Sequence, residues 1–367
     1  MAVPSSLTDN YDALLTATLR AYADTRLHDN IHRSNKLLGW LDSKGHWKKQ
    51  DGGERVQVPL MYGKNDTADI YSGYGTLNTT PQDGITSAFF DWSQISVSIA
   101  ISRKEERQNS GRARMLNLLE AKTTQAEASL HELLNNCITQ GRITASAAQG
   151  QFYARIGVLD SGATGPLPIP ALIDSNASRS VAVGNINGST YSWWRNRVHP
   201  SVGTQATTWA GVRRQMNTVY NLCSQGSGGS PDLILCDRTG WETYWNGLEG
   251  KEQYVISDPR IVDILGGSNA LKFRGAAMIW DEVVPDTYTN ATVVDAIGTV
   301  TLSSYYFLNT ETLYFISDSA TDFITTPFVR PENQDAKVAQ MLWMGALGMN
   351  NRQKNGILDN VLQTITA

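Results

Sequence analysis

The longest hydrophobic pattern without a break runs over residues 110–141 and predicts one long helix. Asn109 or Ser110 can cap its start, Gly141 stands where a glycine ends a helix, and no proline interrupts it. At about 1.5 Å per residue it forms a rod of about 45 Å, which we expect to act as a rigid spine packed on a sheet. Positions spaced by three and four form its predicted apolar stripe: Leu116, Leu119, Thr123, Ala126, Leu130, Leu133 and Cys137. Further apolar positions are expected to widen this stripe: Met115, Leu118, Ala121, Leu134 and Ile138. A coiled coil is disfavoured because Thr123, Ala126 and Cys137 are poor seam residues.

Two alternating segments before this helix predict a β-hairpin with a very long connection. Residues 54–62 alternate through Val56, Val58 and Leu60, and residues 86–102 alternate from Ile95 to Ile101. Pro59 restricts the first strand to an edge or a bulge. Hairpin connections usually have two to five residues, whereas this one has over twenty. We therefore expect an excursion that projects from the subunit and is ordered by a neighbour.

The side chains of this connection support that interpretation. On an isolated chain its aromatic and aliphatic groups lie in water, but on a loop that crosses a second subunit they are buried. We predict inter-subunit contacts by Tyr62, Lys64, Ile70, Tyr71, Tyr74 and Leu77.

The rest of the chain predicts a mixed α/β arrangement. Residues 207–226 form an amphipathic helix, 232–236 a short buried strand, and 237–248 a turn and a helix. Further strands are expected near 271–285 and within 293–317, and the tail over 322–358 is apolar and strand-like. The segment of about 160–320 is a candidate inserted domain, with the late strands pairing beside the spine helix.

Composition and charge restrict the class of protein. With 41% hydrophobic and 18% charged residues the chain is globular, and a net charge of −4 disfavours a generic nucleic-acid binder. Residues 26–49 nevertheless carry net +4, and residues 103–114 carry net +3. A locally basic face is therefore expected. Its candidate residues are Arg26, Arg33, Lys36, Lys48, Lys49, Arg103, Arg107, Arg112 and Arg114.

Targeting signals and cysteine chemistry are not apparent in the sequence. The N-terminus lacks a basic head followed by an apolar run, and no apolar run approaches eighteen residues, so we expect neither a signal peptide nor a membrane span. Cys137, Cys223 and Cys236 form no CxxC pair and are expected to be reduced core thiols.

Candidate catalytic groups are few. His28 and His32 share a predicted helix face, but no further ligand completes a metal site, and we expect no metal or cofactor. Asp237, Asp281 and Glu282 follow buried strands, so a soluble hydrolase with a carboxylate pair remains a remote alternative. Carboxylates at such positions more often cap the next helix. The Trp193–Arg197 run is more typical of a buried Trp pair with surface Arg than of a base-stacking site. We expect a structural protein and not an enzyme.

Several segments in order resemble one known family. The runs PLMYGKN (59–65), YSGYGTL (71–77), TPQDGIT (80–86) and FFDW (89–92), followed by the long helix, are similar to the projecting loop of tailed-phage major capsid proteins with the Hong Kong 97 fold. Four later segments match in kind and order: LILCDRTGWETYWNGL, KFRGAAMIWDEVVP, YFLNTETLYFI and DAKVAQMLWMGALGMNNRQKNGIL. The resemblance covers most of the chain.

The resemblance implies an α+β capsid fold with four parts. These are an N-terminal arm (1–50), an extended loop (51–100), a peripheral domain with the spine helix (101–155 and 325–367) and an axial α/β domain (156–324). Copies are expected to form hexamers and pentamers of an icosahedral shell around double-stranded DNA, in a virion capsid assembled in the host cytoplasm. Because only a short arm precedes the hairpin, we expect a separate scaffolding protein, with a portal and a decoration protein as further partners.

Two alternatives stay open within this resemblance. An encapsulin-type shell has the same fold but encloses enzymes instead of a genome. Some members of the family also cross-link a loop lysine to an asparagine of a neighbour. Lys64 lies in the loop, and Asn350, Asn351 and Asn355 lie near the tail, but such pairs are easily found by chance.

Overall fold

The computed structural model describes ten ranges of the chain: residues 36–108, 118–139, 167–174, 182–199, 208–248, 271–284, 294–295, 298–299, 302–332 and 334–362. Several predicted features lie outside them. These are Arg26, Arg33, Arg112, Arg114, His28, His32, the helix cap at 109–110 and the helix stop at Gly141.

A five-stranded sheet forms around one long strand, Ala336–Met349. Its first ten residues pair antiparallel with Ser93–Ser102, and its last five pair antiparallel with Leu313–Asp318. Trp47–Gln50 extends the sheet in parallel beside Leu313–Asp318, and Ile324–Thr325 pairs with the middle of the long strand. The predicted strand character of the tail is therefore confirmed over 336–349.

A second sheet has six strands. Their order is Arg197–Val198, Gly356–Leu362, Leu302–Leu308, Leu233–Cys236, Ala276–Trp280 and Leu271–Phe273. The helices Trp209–Ser224 and Arg238–Leu248 pack on it. The first of these helices confirms the predicted amphipathic pattern, because Val212, Met216, Val219, Tyr220 and Cys223 are buried and the side chain of Thr208 caps its start.

The spine helix is described from Leu118 to Thr139, within the predicted span. It packs on the strand Ser93–Ser102, but the predicted stripe is only partly correct. Leu119 is 45% exposed and Leu133 is 42% exposed, whereas Leu134 and Ile138 are fully buried. A stripe with a repeat of 3.5 residues drifts around a helix that has 3.6 residues per turn, so Leu133 leaves the buried face. Leu134 and Ile138, which were predicted to widen the stripe, lie on that face.

The predicted hairpin exists, with one correction. Val56–Met61 pairs antiparallel with Ile85–Phe90 in a two-stranded sheet, and buried and exposed residues alternate along the first strand with Pro59 on the exposed side. The predicted single strand over 86–102 is two strands that belong to different sheets. The break falls at Asp91–Trp92, where the Trp92 indole N–H donates to the Gly53 carbonyl oxygen at 2.9 Å.

Strand pairing crosses the predicted domain borders at several places, since Trp47–Gln50 of the predicted arm and most of Ser93–Ser102 of the predicted loop pair within the five-stranded sheet. Gly356–Leu362 joins the six-stranded sheet and not the five-stranded sheet, while Leu313–Asp318 joins the five-stranded one. The turn over 350–355 therefore carries the chain from one sheet to the other.

Shorter elements complete the described part of the chain. The helix Lys36–Ser43 buries Leu37, Leu38, Trp40 and Leu41 in the main core. The others are the helices Arg103–Gln108 and Ile169–Leu172, the strand pairs Ala182–Val183 with Ile186–Asn187 and Val294–Asp295 with Gly298–Thr299, and the 3-10 turns Ser192–Trp194, Thr310–Thr312 and Arg352–Lys354.

Candidate assembly interface

The connection between the hairpin strands, residues 62–84, has no regular secondary structure and exposes large apolar groups. We call it the projecting loop. Ile70 is 97% exposed, Tyr74 is fully exposed, and Tyr71 and Leu77 are each more than 60% exposed. Met61 and Ile85, which end the two strands, are also exposed. An apolar set of this kind on one projection is a typical docking surface.

Local polar bonds shape the loop. At the neck of the loop, the Tyr62 N–H donates to the Gly84 carbonyl oxygen at 2.9 Å. The two backbone segments are so close here that a Cβ atom on Gly84 would lie only 3.1 Å from the Gly63 carbonyl oxygen. Asn65 accepts from the Thr67 N–H at 3.0 Å, and Asn78 accepts from the Thr80 N–H at 3.1 Å. Such Asx turns need no apolar packing. The apolar side chains of the loop therefore remain available to a partner.

Most residues predicted to contact a neighbour share this exposed region. Ile70, Tyr71, Tyr74 and Leu77 project from the loop, and Lys64 is exposed near its neck. Tyr62 differs, because its ring stacks on Trp193 of the same chain, with centroids 5.4 Å apart and planes inclined by 23°. It is nevertheless 39% exposed, so one face remains open.

The predicted basic residues that the structure describes lie on the helix Lys36–Ser43, the strand Trp47–Gln50 and the helix Arg103–Gln108, and most have partners within the chain. Lys36 places its Nζ 3.5 Å from the centroid of the Trp280 ring, and Lys48 places its Nζ 4.3 Å from that of Tyr314. Lys49 pairs with Asp322 at 2.7 Å, and Arg103 pairs with Asp335 at 3.6 Å. Arg107 lies exposed on the helix Arg103–Gln108.

Asp237, a candidate catalytic carboxylate, caps a helix. It is fully buried, and its Oδ2 accepts from the Gly240 N–H at 3.0 Å and from the Ser303 hydroxyl at 2.9 Å, at the start of Arg238–Leu248. Burial raises the pKa of Asp237 to about 6, against the opposing effect of these two hydrogen bonds. Its Oδ1 has no hydrogen-bond partner among the described residues.

Asp281 lies beside Asp237, since the parallel strands Leu233–Cys236 and Ala276–Trp280 end together. It is buried and accepts from the Val283 N–H at 3.0 Å and from the Asn135 amide of the spine helix. Burial raises the pKa of its carboxyl group. Glu282 points to the exposed side. Both aspartates thus satisfy backbone and side-chain donors of the fold, which is a structural role.

The other side chains that were candidates for chemistry are buried or form hydrogen bonds within the chain. In 182–199, Trp194 is buried, and the Arg195 guanidinium donates to the carbonyl oxygens of Gly188 and Ser189. Asn355 is fully buried and Asn350 donates to the Tyr314 hydroxyl. Within the described ranges, no group of three or more His, Cys, Asp or Glu side chains is placed to hold a metal ion.

A search of the described helices finds no segment long and apolar enough to cross a membrane. The three cysteines are buried and form no disulfide, and burial raises the pKa of the Cys223 thiol to about 12.

Sequence analysis missed a segment that supports the loop. The hairpin formed by Ala182–Val183 and Ile186–Asn187, followed by the 3-10 turn Ser192–Trp194, lies against the hairpin strands. The signal was present in the pair Gly184–Asn185, because a Gly-Asn pair between two β-branched residues is typical of a two-residue hairpin turn. The polar composition of 171–208 concealed it.

Comparison with solved structures identifies the fold. The chain is similar to the capsid asymmetric unit of cyanophage A-1(L), with 17% identity, a TM-score of 0.64, and 95% of this chain and 98% of that chain covered. It is similar to the holo-SrpI encapsulin complex of Synechococcus elongatus, with 10% identity, a TM-score of 0.55, and 100% and 99% covered. A third match is the capsid of a native GTA particle, with 10% identity, a TM-score of 0.53, and 98% and 100% covered.

No protein-family model matches the sequence, and a search of curated proteins finds no significant match. At this low identity the structural likeness shows the fold alone. The chain has the Hong Kong 97-type α+β capsid fold, and the prediction of that fold is confirmed.

Proposed function

We propose that this chain, which has the Hong Kong 97-type capsid fold, is a major capsid protein of a tailed phage. It assembles as hexamers and pentamers into an icosahedral shell that encloses double-stranded DNA. The observation that carries the proposal is the projecting loop, which exposes Ile70, Tyr71, Tyr74 and Leu77 while the rest of the subunit has a well-packed core. A monomeric protein gains nothing from this exposure, whereas a shell subunit buries it on each neighbour.

The energetics favour many modest contacts. Full burial of one large aliphatic or aromatic side chain is worth ~1.5–3 kcal/mol, and association carries an entropic cost of its own. One loop on one neighbour therefore gives a weak pair. Closed symmetry repeats the same contact around each ring, so that the shell as a whole is stable.

The layout of the subunit in the shell is taken from the family resemblance, with Gly356–Leu362 paired in the six-stranded sheet and Leu313–Asp318 in the five-stranded one. We assign an N-terminal arm to 1–50, the extended loop to 51–100, the peripheral domain to 101–155 and 325–367, and the axial domain to 156–324. The basic stretches face inward, toward DNA phosphates or a scaffolding protein. A scaffolding protein, a portal and a decoration protein act as further partners, in a virion assembled in the host cytoplasm.

An encapsulin-type shell is the second candidate. The supporting observation is the likeness to the encapsulin complex, which covers 100% of this chain. The two candidates differ in cargo, since one encloses nucleic acid and the other encloses protein. A soluble hydrolase has less support, because Asp237 and Asp281 each hold backbone donors of the fold.

The experiment is the size and content of the purified protein. Light scattering and negative-stain microscopy are expected to find closed shells tens of nanometres across, and absorbance at 260 and 280 nm after nuclease treatment measures protected nucleic acid. Protected double-stranded DNA supports the phage capsid, and shells with protein cargo support the encapsulin type. Subunits that stay monomeric both alone and with a co-expressed scaffolding protein contradict both.

A further inference from the structure

We propose that Trp193 is a positioning residue that sets the direction of the projecting loop. The segment 182–196, which we call the bracket, holds Trp193 in place, and Arg352 fixes the bracket to the turn between the two sheets. The inference rests on the proposed function, because it concerns how the same loop is presented to a neighbouring subunit.

The hairpin that carries the loop needs outside support. Its strands Val56–Met61 and Ile85–Phe90 form a sheet of only two strands, and an isolated two-stranded hairpin is at best marginally stable in water. Beyond Met61 and Ile85 the loop has polar turns but no regular structure of its own. Its direction therefore depends on what the base of the hairpin contacts.

The bracket contacts that base by backbone and by close packing. The Phe89 N–H donates to the Gly184 carbonyl oxygen at 3.1 Å, outside the pairing of the two hairpin strands. A Cβ atom on Gly184 would lie 2.9 Å from the Ala88 Cβ, and Gly184 has φ +62°. Asn185 has φ 64°, so the two residues form the tight turn that brings the backbone this close. Only glycine fits at Gly184 without displacing the hairpin.

Trp193 adds an aromatic contact at the neck of the loop. Its ring stacks on Tyr62, the residue that follows the strand and bonds to Gly84. Tyr191 lies on the same side, with its ring centroid 6.1 Å from that of Trp193 and no ring contact to Tyr62 among the described residues. Aromatic stacking stabilises the pair beyond the area that it buries, and it therefore favours one direction of the loop over others.

Arg352 anchors the bracket. It is almost fully buried, and its guanidinium donates to the carbonyl oxygens of Leu172 at 2.8 Å and Trp194 at 3.0 Å, while the Gln353 amide donates to the Trp193 carbonyl oxygen at 3.0 Å. Burial lowers the pKa of Arg352 to about 10, so the group stays charged at neutral pH. The turn over 350–355 connects the two sheets, and Arg352 of this turn holds the bracket. The direction of the projecting loop therefore depends on the position of the two sheets relative to each other.

The test measures loop direction in unassembled subunits. Nitroxide labels at Ile85→Cys, where the loop rejoins the hairpin strand, and Thr124→Cys, on the exposed side of the spine helix, report the distance between these elements by pulsed electron resonance. The three native cysteines are buried, which favours labelling at the two new sites. Unassembled subunits are isolated by size exclusion, and circular dichroism verifies that each variant is folded.

We expect a narrow distance peak in the parent protein and in Trp193→Phe, which keeps an aromatic ring. Trp193→Ala and Gly184→Ala are expected to lose the narrow peak, and Trp241→Ala, at a ring that stacks on Trp245 of the helix Arg238–Leu248, serves as the matched Trp-to-Ala control that keeps it. Without labels, the Trp193→Ala protein is expected to form no closed shells, whereas the Trp193→Phe protein is expected to form them.

Two results overturn the inference: a narrow peak retained in Trp193→Ala, or normal shells from a Trp193→Ala protein whose loop peak is lost. Failure of the proposed function looks different. In that case the unlabelled parent forms no shells under any condition, while the narrow peak and its loss in the two variants still establish the positioning role.

Discussion

Asn135 on the spine helix donates through its Nδ2 to both carboxylate oxygens of Asp281, at 3.2 and 3.4 Å. Both residues are buried, and Asp281 directly follows a strand of the six-stranded sheet. Lys36 lies close by, over the Trp280 ring, and the charge of Asp281 partly opposes the lowering of its pKa by burial. One buried polar contact thus joins the spine helix, the helix Lys36–Ser43 and the six-stranded sheet.

We predict that Asn135→Ala destabilises the subunit by ~1–3 kcal/mol, because it leaves a buried carboxylate with one donor fewer. The measurement is the Tm of unassembled subunits by differential scanning fluorimetry. Thr124→Ala, on the exposed side of the same helix, is the control and should leave the Tm unchanged. Equal Tm values for the two variants would show that this contact contributes nothing to stability.

The buried carboxyl of Asp237 predicts a specific pH dependence. Its folded-state pKa of about 6 lies above the ordinary value of 3.8, so the folded protein binds this proton more tightly than the unfolded chain. The resulting stabilisation is full below the ordinary pKa and is lost as the pH rises through 6. Two pKa units correspond to ~3 kcal/mol.

Asp237→Asn removes this titration, so wild type should lose stability relative to the variant as the pH rises from about 4 to about 7. The difference between the two Tm values across this range isolates Asp237 from the other carboxylates. Asp66→Asn, in the exposed loop, is the control and should give a curve parallel to that of wild type. A parallel curve for Asp237→Asn would mean that the carboxyl titrates normally in the fold.

A buried lysine, Lys354, binds the backbone of the glycine-rich segment that follows the helix Trp209–Ser224. The Lys354 ammonium donates to the carbonyl oxygens of Gln225, Gly226 and Gly229, at 2.9, 3.1 and 3.3 Å. Lys354→Met keeps the length of the side chain but leaves these acceptors unpaired, and we predict a loss of ~2–4 kcal/mol, or roughly 3–5 °C in Tm.

Lys337→Met is the matched control for this variant. Lys337 is a half-exposed lysine that pairs with Glu106 at 2.6 Å, and such surface pairs contribute at most about 1 kcal/mol. Hydrogen exchange is expected to accelerate over 225–231 in Lys354→Met only. Similar Tm losses in both variants would contradict a special role for the buried amine.

The loop variants separate assembly from folding. Tyr71→Ser with Tyr74→Ser removes two exposed rings that contribute no core packing, so the subunit should keep its Tm while shell yield falls by at least about tenfold. Sedimentation of assembly mixtures measures the yield. Thr79→Ser, an exposed polar position in the same loop, is the control. Normal shell yield from the double variant would exclude these rings as assembly contacts.

Periodicity made the elements predictable where one face of an element is buried. The amphipathic helix Trp209–Ser224, the spine helix and the long tail strand all follow from apolar spacing in the sequence. The exposed aromatic loop was also predictable, because its length and composition do not suit a monomer. Its role in contacts between subunits stays a prediction.

Other features depend on tertiary contacts that spacing does not encode. The apolar positions over 86–102 change from even-numbered (Ala88, Phe90) to odd-numbered (Ile95) near Asp91–Trp92, but this change of phase does not indicate that the two parts join different sheets. The polar turn at 350–355 resembles a solvated loop in sequence, yet Arg352, Lys354 and Asn355 are buried because backbone carbonyl oxygens and polar side chains satisfy them. The stacking of Tyr62 on Trp193 joins residues far apart in the chain, and no local pattern indicates it.

The most direct test of the central claim is a cryo-electron microscopy reconstruction of the assembled protein. The claim predicts a closed icosahedral shell in which the loop over 62–84 of each subunit lies on a neighbour and buries Ile70, Tyr71 and Tyr74. A small discrete oligomer, or a shell in which these three side chains remain in solvent, would contradict it.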